Sequence, residues 1–582
     1  MSHKHWIYPK DDDLVLSALR GLAAANPALG IIPEEKVVFN PKAGKKVAVI
    51  SGGGAGHEPL HSGFVGSNLL DAAVSGAIFA SPSTRQIMAA LKATANKEQG
   101  AVVVVKNYTG DVLHFGLVAE RAQRDGYPIE VVSVSDDVAV GRTQNAMVGR
   151  RGLAGTAIVH KVVGGAAAAG GKLEHVGALG RQVNSALVTM SAALDRTSVP
   201  GKAEETELTG AGQAELGLGI HNEPGEKLQI PPITDLVDVL FKRLLDENDK
   251  ERHYLDFDKD DDYVLVVNNI GGTSSLELYA IAHYAVARCP LAKKPTRVYI
   301  SDFVTSLSAP GFSLTLLNLK KAATDQYSSS DVLNFLDAPT DAPGWKPKSY
   351  SGEQWAADRK ETHSDKENVS LPQGNVKIDS GRFSKALKAA MNRVIEKEPL
   401  ITKYDTQVGD GDCGETLESG AKGVLAALDS KELKPHLDDP VAVLSALTDV
   451  VEEHMGGTSG GIYAIFLTGF VKNLKEAQNA EIASVAKALH AALYDSLFKY
   501  TKARKGGRTL VDTLQPFVDV LVESGDLKKA VEAARAGCEE TANLEAKFGR
   551  ASYVDESEFA GGVPDPGAVG LLALIEGFAG EY

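Results

Sequence analysis

Asp405, Asp410 and Asp412 fall within eight residues in the stretch YDTQVGDGDCGETL, with Gly409, Gly411 and Gly414 between or beside them. Like charges this close repel unless a cation offsets them. The calcium-loop pattern D-x-[DN]-x-[DN]-G does not fit, because in the register from Asp410 the third acidic place is Gly414. A few hard oxygen ligands suit Mg2+ shared with phosphate groups. The plain alternative is a solvated acidic loop. Further on, HMGGTSGGIY sets Gly456, Gly457, Thr458, Ser459, Gly460 and Gly461 at a helix end, before the next helix. Small residues at a helix N-terminus offer free N–H groups to phosphate. ARKGGRTLVDTLQP adds Arg504, Lys505, Arg508 and Thr509; FGRASYV adds Arg550; GGVPDPGAVG adds a turn at Asp565, Pro566 and Gly567. Each alone reads as a capped turn or a solvated charge. Together with the aspartates they describe a metal–nucleotide site on a helical scaffold.

A different chemistry is written in the first half. In GLGIHNEPG, His221 lies between glycines and is followed by Glu223. A neutral imidazole is a competent nucleophile toward a carbonyl, and Glu223 is placed to orient its other nitrogen. A lone histidine is usually structural, so this signal is weak by itself. In VVVVKNYTGDVLHFG a strand delivers Lys106, Asn107, Tyr108, Thr109 and Asp111 at its carboxyl end, where ligands sit in open α/β sheets. Asp111 reads equally as a general base or as a helix N-cap. The stretch KKVAVISGGGAGHEPLHSG has the look of a dinucleotide loop. It fails G-x-G-x-x-G in both frames, with His57 or Pro59 in the last place. GGAAAAGGKL, from Gly164, fails the phosphate-loop spacing as well and reads as a tight helix contact. The glycines at 52–56 are then either a plain turn or the lining of a small pocket.

The elements that position these residues differ between the halves. Residues 47–50, 101–106, 129–134, 263–269 and 296–301 are β-branched runs that predict parallel strands covered on both faces. Ala/Leu-rich segments such as 83–96 predict helices between them, with a break into two subdomains near 185–217. From about 341 to 374 the chain is polar, Pro-containing and aperiodic, as expected of a linker. Beyond it the strands vanish. Asp439 is a candidate N-cap with Pro440 at the first helical position, and Leu444, Leu447 and Val451 recur at helical spacing. The last third is expected to be all helical.

The 582 residues imply more than one domain. With 61 basic and 76 acidic side chains the net charge is −15, which argues against nucleic acid or an anionic membrane as partner. Three scattered cysteines, Cys289, Cys413 and Cys538, argue against a disulfide framework and for a reducing compartment. The longest apolar run is far too short to span a bilayer, and no apolar leader or peroxisomal tail is visible, so a cytoplasmic location is expected.

Taken in order, SGGGAGHEP, KNYTGD, GLGIHNEPG, VGDGDCG, GGTSGGIY, GGRTLVDTL, GRASY and DPGAVG resemble the ATP-dependent dihydroxyacetone kinases of the single-chain type. The resemblance covers nearly the whole chain except the linker. It implies a K-type triose-binding domain over 1–340, with α/β subdomains of roughly 1–190 and 191–340. A linker at 341–375 would follow, and then an L-type domain over 376–582, an eight-helix barrel that binds Mg-ATP. It implies that His221 forms a hemiaminal with the ketone of dihydroxyacetone. Gly54, Ala55, Gly56, His57, Lys106 and Asp111 would line the triose, with Asp111 as base and His57 assisting. Asp405, Asp410 and Asp412 would hold two Mg2+ ions. Asp410, Gly411, Asp412, Cys413, Thr458, Ser459, Arg508, Leu510, Arg550, Asp565, Pro566 and Gly567 would surround ATP. It also implies a homodimer in which the L domain faces the partner's K domain. Glyceraldehyde, having a carbonyl, is an expected second substrate; glycerol is not. Two other readings are weighed. A phosphoprotein-dependent relative has separate K and L chains, and the fusion argues against it. A non-catalytic triose-binding regulator is opposed by the intact aspartates and His221.

Overall fold

The computed structural model describes residues 5–7, 13–143, 147–202, 209–357, 371–545 and 562–582. It divides into two compact units, Met1–Glu361 and Thr362–Tyr582.

The first unit holds two six-stranded sheets. The strands of the first are Gly30–Ile32 (β1), Val37–Phe39 (β2), Ala48–Ala55 (β3), Ala72–Ile78 (β4), Ala101–Lys106 (β5) and Ile129–Val134 (β6), in spatial order β1-β2-β4-β3-β5-β6. The run β4-β3-β5-β6 is parallel, with Val49 beside Val102 and Val104 beside Val132. The second contains Leu187–Ala193 (β7), Gln213–Leu216 (β8), Glu226–Gln229 (β9), Tyr263–Asn269 (β10), Arg297–Ser301 (β11) and Gly311–Asn318 (β12), in order β11-β10-β12-β7-β8-β9. Here β10 and β11 are parallel, as expected of the runs at 263–269 and 296–301, while β12, which the sequence reading did not mark, lies antiparallel to β10, so the sheet is mixed.

Helices Leu14–Ala25 (α1), Thr84–Thr94 (α2), Thr109–Arg124 (α3), Gly155–Ala168 (α4), Leu173–Ser185 (α5), Ile233–Leu245 (α6), Ser275–Arg288 (α7), Leu319–Ala322 (α8), Ser329–Asp337 (α9) and Gly352–Ala356 (α10) cover these sheets. The cores show how. Val49, Val104 and Val132 of the first sheet and Val264, Val266 and Leu317 of the second join one cluster through Ile158, Val162, Val176 and Leu179 of α4 and α5. The opposite face of the first sheet packs on α2 and α3 through Ile87, Leu91, Phe115 and Val118. That of the second packs on α6 and α7 through Leu240, Phe241, Leu278 and Ile281. The result is helix, sheet, helix, sheet, helix. Both sheets are covered on both faces, which explains the unbroken valine runs. The two halves share α4 and α5 as a common layer, and a division at 190/191 falls inside β7. In α4, a Cβ on Gly164 would come 2.3 Å from the carbonyl oxygen of Leu69, so the GGAAAAGG run is a close helix contact.

The start of the expected linker is part of this first core. Trp345 is buried and packs on Tyr299 and Phe303 at 5.6 and 5.4 Å between ring centroids. The Gly344 amide donates to Gly63. A polar, proline-bearing composition concealed one tryptophan anchor.

The second unit is helical, with eight α-helices among the described residues: Ser380–Val408 (α11), Cys413–Leu428 (α12), Pro440–His454 (α13), Gly457–Lys475 (α14), Ile482–Ala491 (α15), Val511–Ser524 (α16), Leu527–Glu540 (α17) and Pro566–Ala579 (α18). Asp439 caps α13, its Oδ1 accepting from the Val441 and Ala442 amides. No helix among the described residues is long and apolar enough to cross a membrane.

Candidate functional site

In the first unit, chemistry gathers at the carboxyl ends of β3 and β5. Strand β3 ends in Gly52, Gly53, Gly54 and Ala55, all buried. A Cβ on Gly54 would come 2.7 Å from the Ala80 amide nitrogen; one on Gly56, at φ +98°, would strike the Phe79 ring at 2.8 Å. These glycines let Phe79 close in and stack on His57, with centroids 5.1 Å apart. The loop therefore builds a wall for a histidine.

His57 is fully buried. Its Nδ1 donates to the Thr305 carbonyl at 2.9 Å, and its Nε2 faces Nε2 of His221 at 3.0 Å. Burial, then the positive charges of Lys106 and His221, hold the His57 imidazole well below its usual pKa. His221 sits in the loop between β8 and β9. Its Nδ1 donates to Glu223 Oε1 at 3.0 Å, and its amide to Oε2 at 2.9 Å. A Cβ at Gly219 would lie 2.0 Å from Glu223 Oε2, so glycine there admits the carboxylate. Burial pushes the Glu223 carboxyl up, but the hydrogen bond and charge of His221, helped by Arg151, outweigh it and hold the pKa at about 2. Tyr108 meets the His221 ring edge-on at 4.6 Å.

Lys106, the last residue of β5, is fully buried. Burial lowers its ammonium to about 8 against the opposing pull of Asp111, Glu223 and Glu58. Asp111 lies in the first turn of α3, whose cap is Tyr108, so it is not the N-cap. It is 3% exposed, and its Oδ1, like Lys106 Nζ, has no partner among the described residues. Buried polar atoms are normally paired, so these two point to a missing polar ligand. Gly54, Ala55, Gly56, His57, Lys106, Asp111 and His221 thus lie in one neighbourhood. Pattern reading passed over Phe79, Thr305 and Arg151, which a loop composition gives no reason to select.

In the second unit, α11 ends and α12 begins around the aspartates. The carboxylate oxygens of Asp405, Asp410 and Asp412 lie within 4.8 Å of one another. Asp405 is buried, and its Oδ2 accepts from the Cys413 amide at 3.0 Å. Gly411 turns the loop at φ +82°; at Gly409 a Cβ would come 2.4 Å from Asp405 Oδ1. Three hard oxygen donors in this grouping fit a divalent cation such as Mg2+. Thr458 and Ser459 lie in the first turn of α14, where Gly456, Gly457 and Gly461 face open space. Leu510 caps α16 and lines up beside Gly567. Arg508 donates to the Val563 carbonyl at 2.9 Å. Asp565 caps α18, with Pro566 at its first position, and accepts from the Ala568 amide at 2.7 Å. Burial pushes the Asp565 carboxyl up to about 7, although the Ala568 amide and Arg508 pull against it. The charges of Asp405, Asp412 and Asp565 all bear on Cys413; burial, then these charges, push its thiol up to about 12. Arg550 lies outside the described residues. Tyr463, on α14, is a residue the motifs did not mark: its buried hydroxyl has no partner among the described residues and its charge neighbours are Cys413 and Asp565.

Comparison with known proteins bears on both units. Residues 20–344 match the Dak1 domain and residues 407–580 the DAK2 domain. "Dihydroxyacetone kinase" of Pichia angusta is 48% identical, covering 100% of this chain and 99% of that protein. "Triokinase/FMN cyclase" of Mus musculus is 35% identical, covering 96% of this chain and 95% of that protein. Among solved structures, the dihydroxyacetone kinase from C. freundii in complex with AMP-PNP and Mg2+ covers 100% of both chains at 28% identity, with a TM-score of 0.67.

Proposed function

The chain belongs to the dihydroxyacetone kinases, with Dak1 and DAK2 domains fused in one polypeptide, and from that premise we propose that His221 tethers the triose covalently while ATP phosphorylates it. It is a kinase that moves phosphate from ATP to an alcohol group of a triose. The finer steps follow as our reading of the geometry.

The observation that carries it is the chain Glu223–His221–His57–Thr305. A carbonyl oxygen only accepts, so His57 Nδ1 carries a proton. A carboxylate held near pKa 2 only accepts, so His221 Nδ1 carries one too. We place a third proton in the 3.0 Å contact between the two Nε2 atoms, on the His221 side because burial and nearby positive charge hold the His57 imidazole below its usual pKa, and balanced by Glu223. When a ketone arrives, that proton passes to His57 and frees the His221 Nε2 lone pair. Nε2 bonds to the carbonyl carbon, the carbonyl π electrons move to oxygen, and His57 returns the proton to that oxygen. The hemiaminal carries its positive charge on the His221 ring, still facing Glu223, so charge is conserved throughout. Asp111 then takes the proton of the terminal hydroxyl as its oxygen attacks the γ-phosphorus and ADP leaves.

Glycerol has no carbonyl and cannot be held this way; glyceraldehyde can. Gly54, Ala55 and Gly56 supply close backbone, and Lys106 supplies a buried cation. Asp405, Asp410 and Asp412 would hold two Mg2+ ions, which when bound neutralise charge on the ATP phosphates. Asp410 through Cys413, Thr458, Ser459, Arg508, Leu510, Arg550 and residues 565–567 would form the nucleotide surround. The division of labour assigns the triose to residues 1–340 and ATP to 376–582. The working form we propose is a cytoplasmic homodimer. The direct test is ATP consumption by purified protein with dihydroxyacetone and Mg2+; absence of turnover would overturn the reading.

A further inference from the structure

Among the described residues, two buried histidines, His61 and His160, remain outside this scheme. His61 is 3% exposed and follows the glycine run. Its Nδ1 lies 2.9 Å from Ser51 Oγ and 3.0 Å from His160 Nε2. The Ser51 hydroxyl spends its only proton on the Val104 carbonyl at 2.7 Å. Ser51 Oγ is therefore an acceptor toward His61, and His61 Nδ1 must be the donor. Burial, then the positive charges of His160, Lys106 and His57, hold His61 well below its usual pKa, so the ring stays neutral. A neutral imidazole protonated at Nδ1 presents a bare lone pair at Nε2.

That Nε2 is buried and has no partner among the described residues. It does not face apolar packing. A Cβ built on Gly53 would lie 3.2 Å from His61 Nε2, 3.4 Å from Asp111 Oδ2 and 3.5 Å from Lys106 Cε. The same Lys106 and Asp111 side chains carry Nζ and Oδ1, which are likewise buried with no hydrogen-bond partner among the described residues. An ammonium donor, a carboxylate and a bare imidazole nitrogen thus converge on a glycine that carries no side chain to fill the space. A hydroxyl group is the small function that satisfies a donor and an acceptor together: its oxygen accepts from Lys106 and its proton goes to His61.

We infer that His61 Nε2 is a substrate-binding acceptor for the hydroxyl of dihydroxyacetone that is not phosphorylated, with Lys106 as its donor and Ser51 fixing the His61 tautomer. The inference rests on the triose reading above, in which Asp111 serves the reacting hydroxyl. It makes the site selective for a ketone hydroxylated on both arms, because a methyl in that place leaves both protein groups unpaired.

Hydroxyacetone, which keeps the ketone and one hydroxyl, tests this. Wild type should favour dihydroxyacetone over hydroxyacetone in kcat/KM. In His61→Leu that preference should shrink at least tenfold, chiefly through loss on dihydroxyacetone. His61→Gln, which keeps an acceptor near the same place, should recover part of it. An unchanged preference in a His61→Leu protein with an intact melting transition overturns the proposal. Histidine-selective 15N NMR on the wild type covers the case in which the variant does not fold. The His61 Nε2 signal should move on adding dihydroxyacetone but not hydroxyacetone; equal response to both also overturns it. Wild type that turns over no dihydroxyacetone would instead contradict the kinase reading itself.

Discussion

His57 Nε2 lies 3.0 Å from His221 Nε2, and each ring has already committed its Nδ1 proton to an oxygen acceptor. In the mechanism we propose, one mobile proton occupies the gap, and hemiaminal formation would use it. His57→Leu keeps a side chain under Phe79 but removes the carrier. Formation of the triose adduct should slow by about 10²–10⁴-fold, while nucleotide binding to the helical unit stays unchanged. Stopped-flow kinetics and nucleotide titration together check this.

In the same proposal Glu223 balances that proton. With a carboxyl pKa of about 2 in the folded protein against 4.5 as reference, its contribution to stability is present above about pH 4.5 and is lost as pH falls toward 2. Glu223→Gln should therefore be less stable than wild type to urea at pH 7, and the gap should narrow by pH 3. The variant should also lose triose affinity, measured by calorimetry at pH 7.

Lys106 is expected to set an alkaline limit on activity. Burial lowers its pKa to about 8, so the free enzyme carries the ammonium below that pH and loses it above. kcat/KM for the triose should fall about tenfold per pH unit on the alkaline side. Lys106→Met should be poor at all pH values and lack this limb.

Asp410→Asn addresses the other unit. ATP turnover should drop at least about a hundredfold, with triose adduct formation intact by mass. Loss of both would mean that the two sites are not independent.

Gly54→Ala tests the wall. The new methyl meets the Ala80 amide and Phe79 backbone at 2.7–2.9 Å, which only a backbone shift relieves. A cost of about 1–3 kcal/mol in stability is expected. The displaced Phe79 should loosen His57 and lower kcat/KM more than it raises KM.

Much of this was legible in the chain. The valine runs of β5 and β10 announced themselves because both faces of each sheet are covered. Strand β4, AAVSGAI, was not legible: only Val74 and Ile78 are β-branched, and the alanines, serine and glycine between them break the run. Trp345, with Ala342 buried in the same core and Trp355 packed against it, was hidden by polar neighbours, since a few scattered anchors suffice to seat a segment. Of the site, His221 and Glu223 share a loop and were visible together. The links from His57 to Thr305 and from His61 to His160 join residues distant in sequence, and no local pattern contains them. Asp565 is likewise remote from Asp405, and only the fold sets its carboxyl among their charges.

The central claim is the covalent tether. Protein incubated with dihydroxyacetone, trapped by borohydride-free rapid acid quench and measured intact, should gain the mass of one triose per chain. Peptide mapping should put that mass on His221, and His221→Ala should show none. A folded His221→Ala protein that still gains the triose mass, or a wild type that turns over dihydroxyacetone with no adduct at any time point, would contradict it.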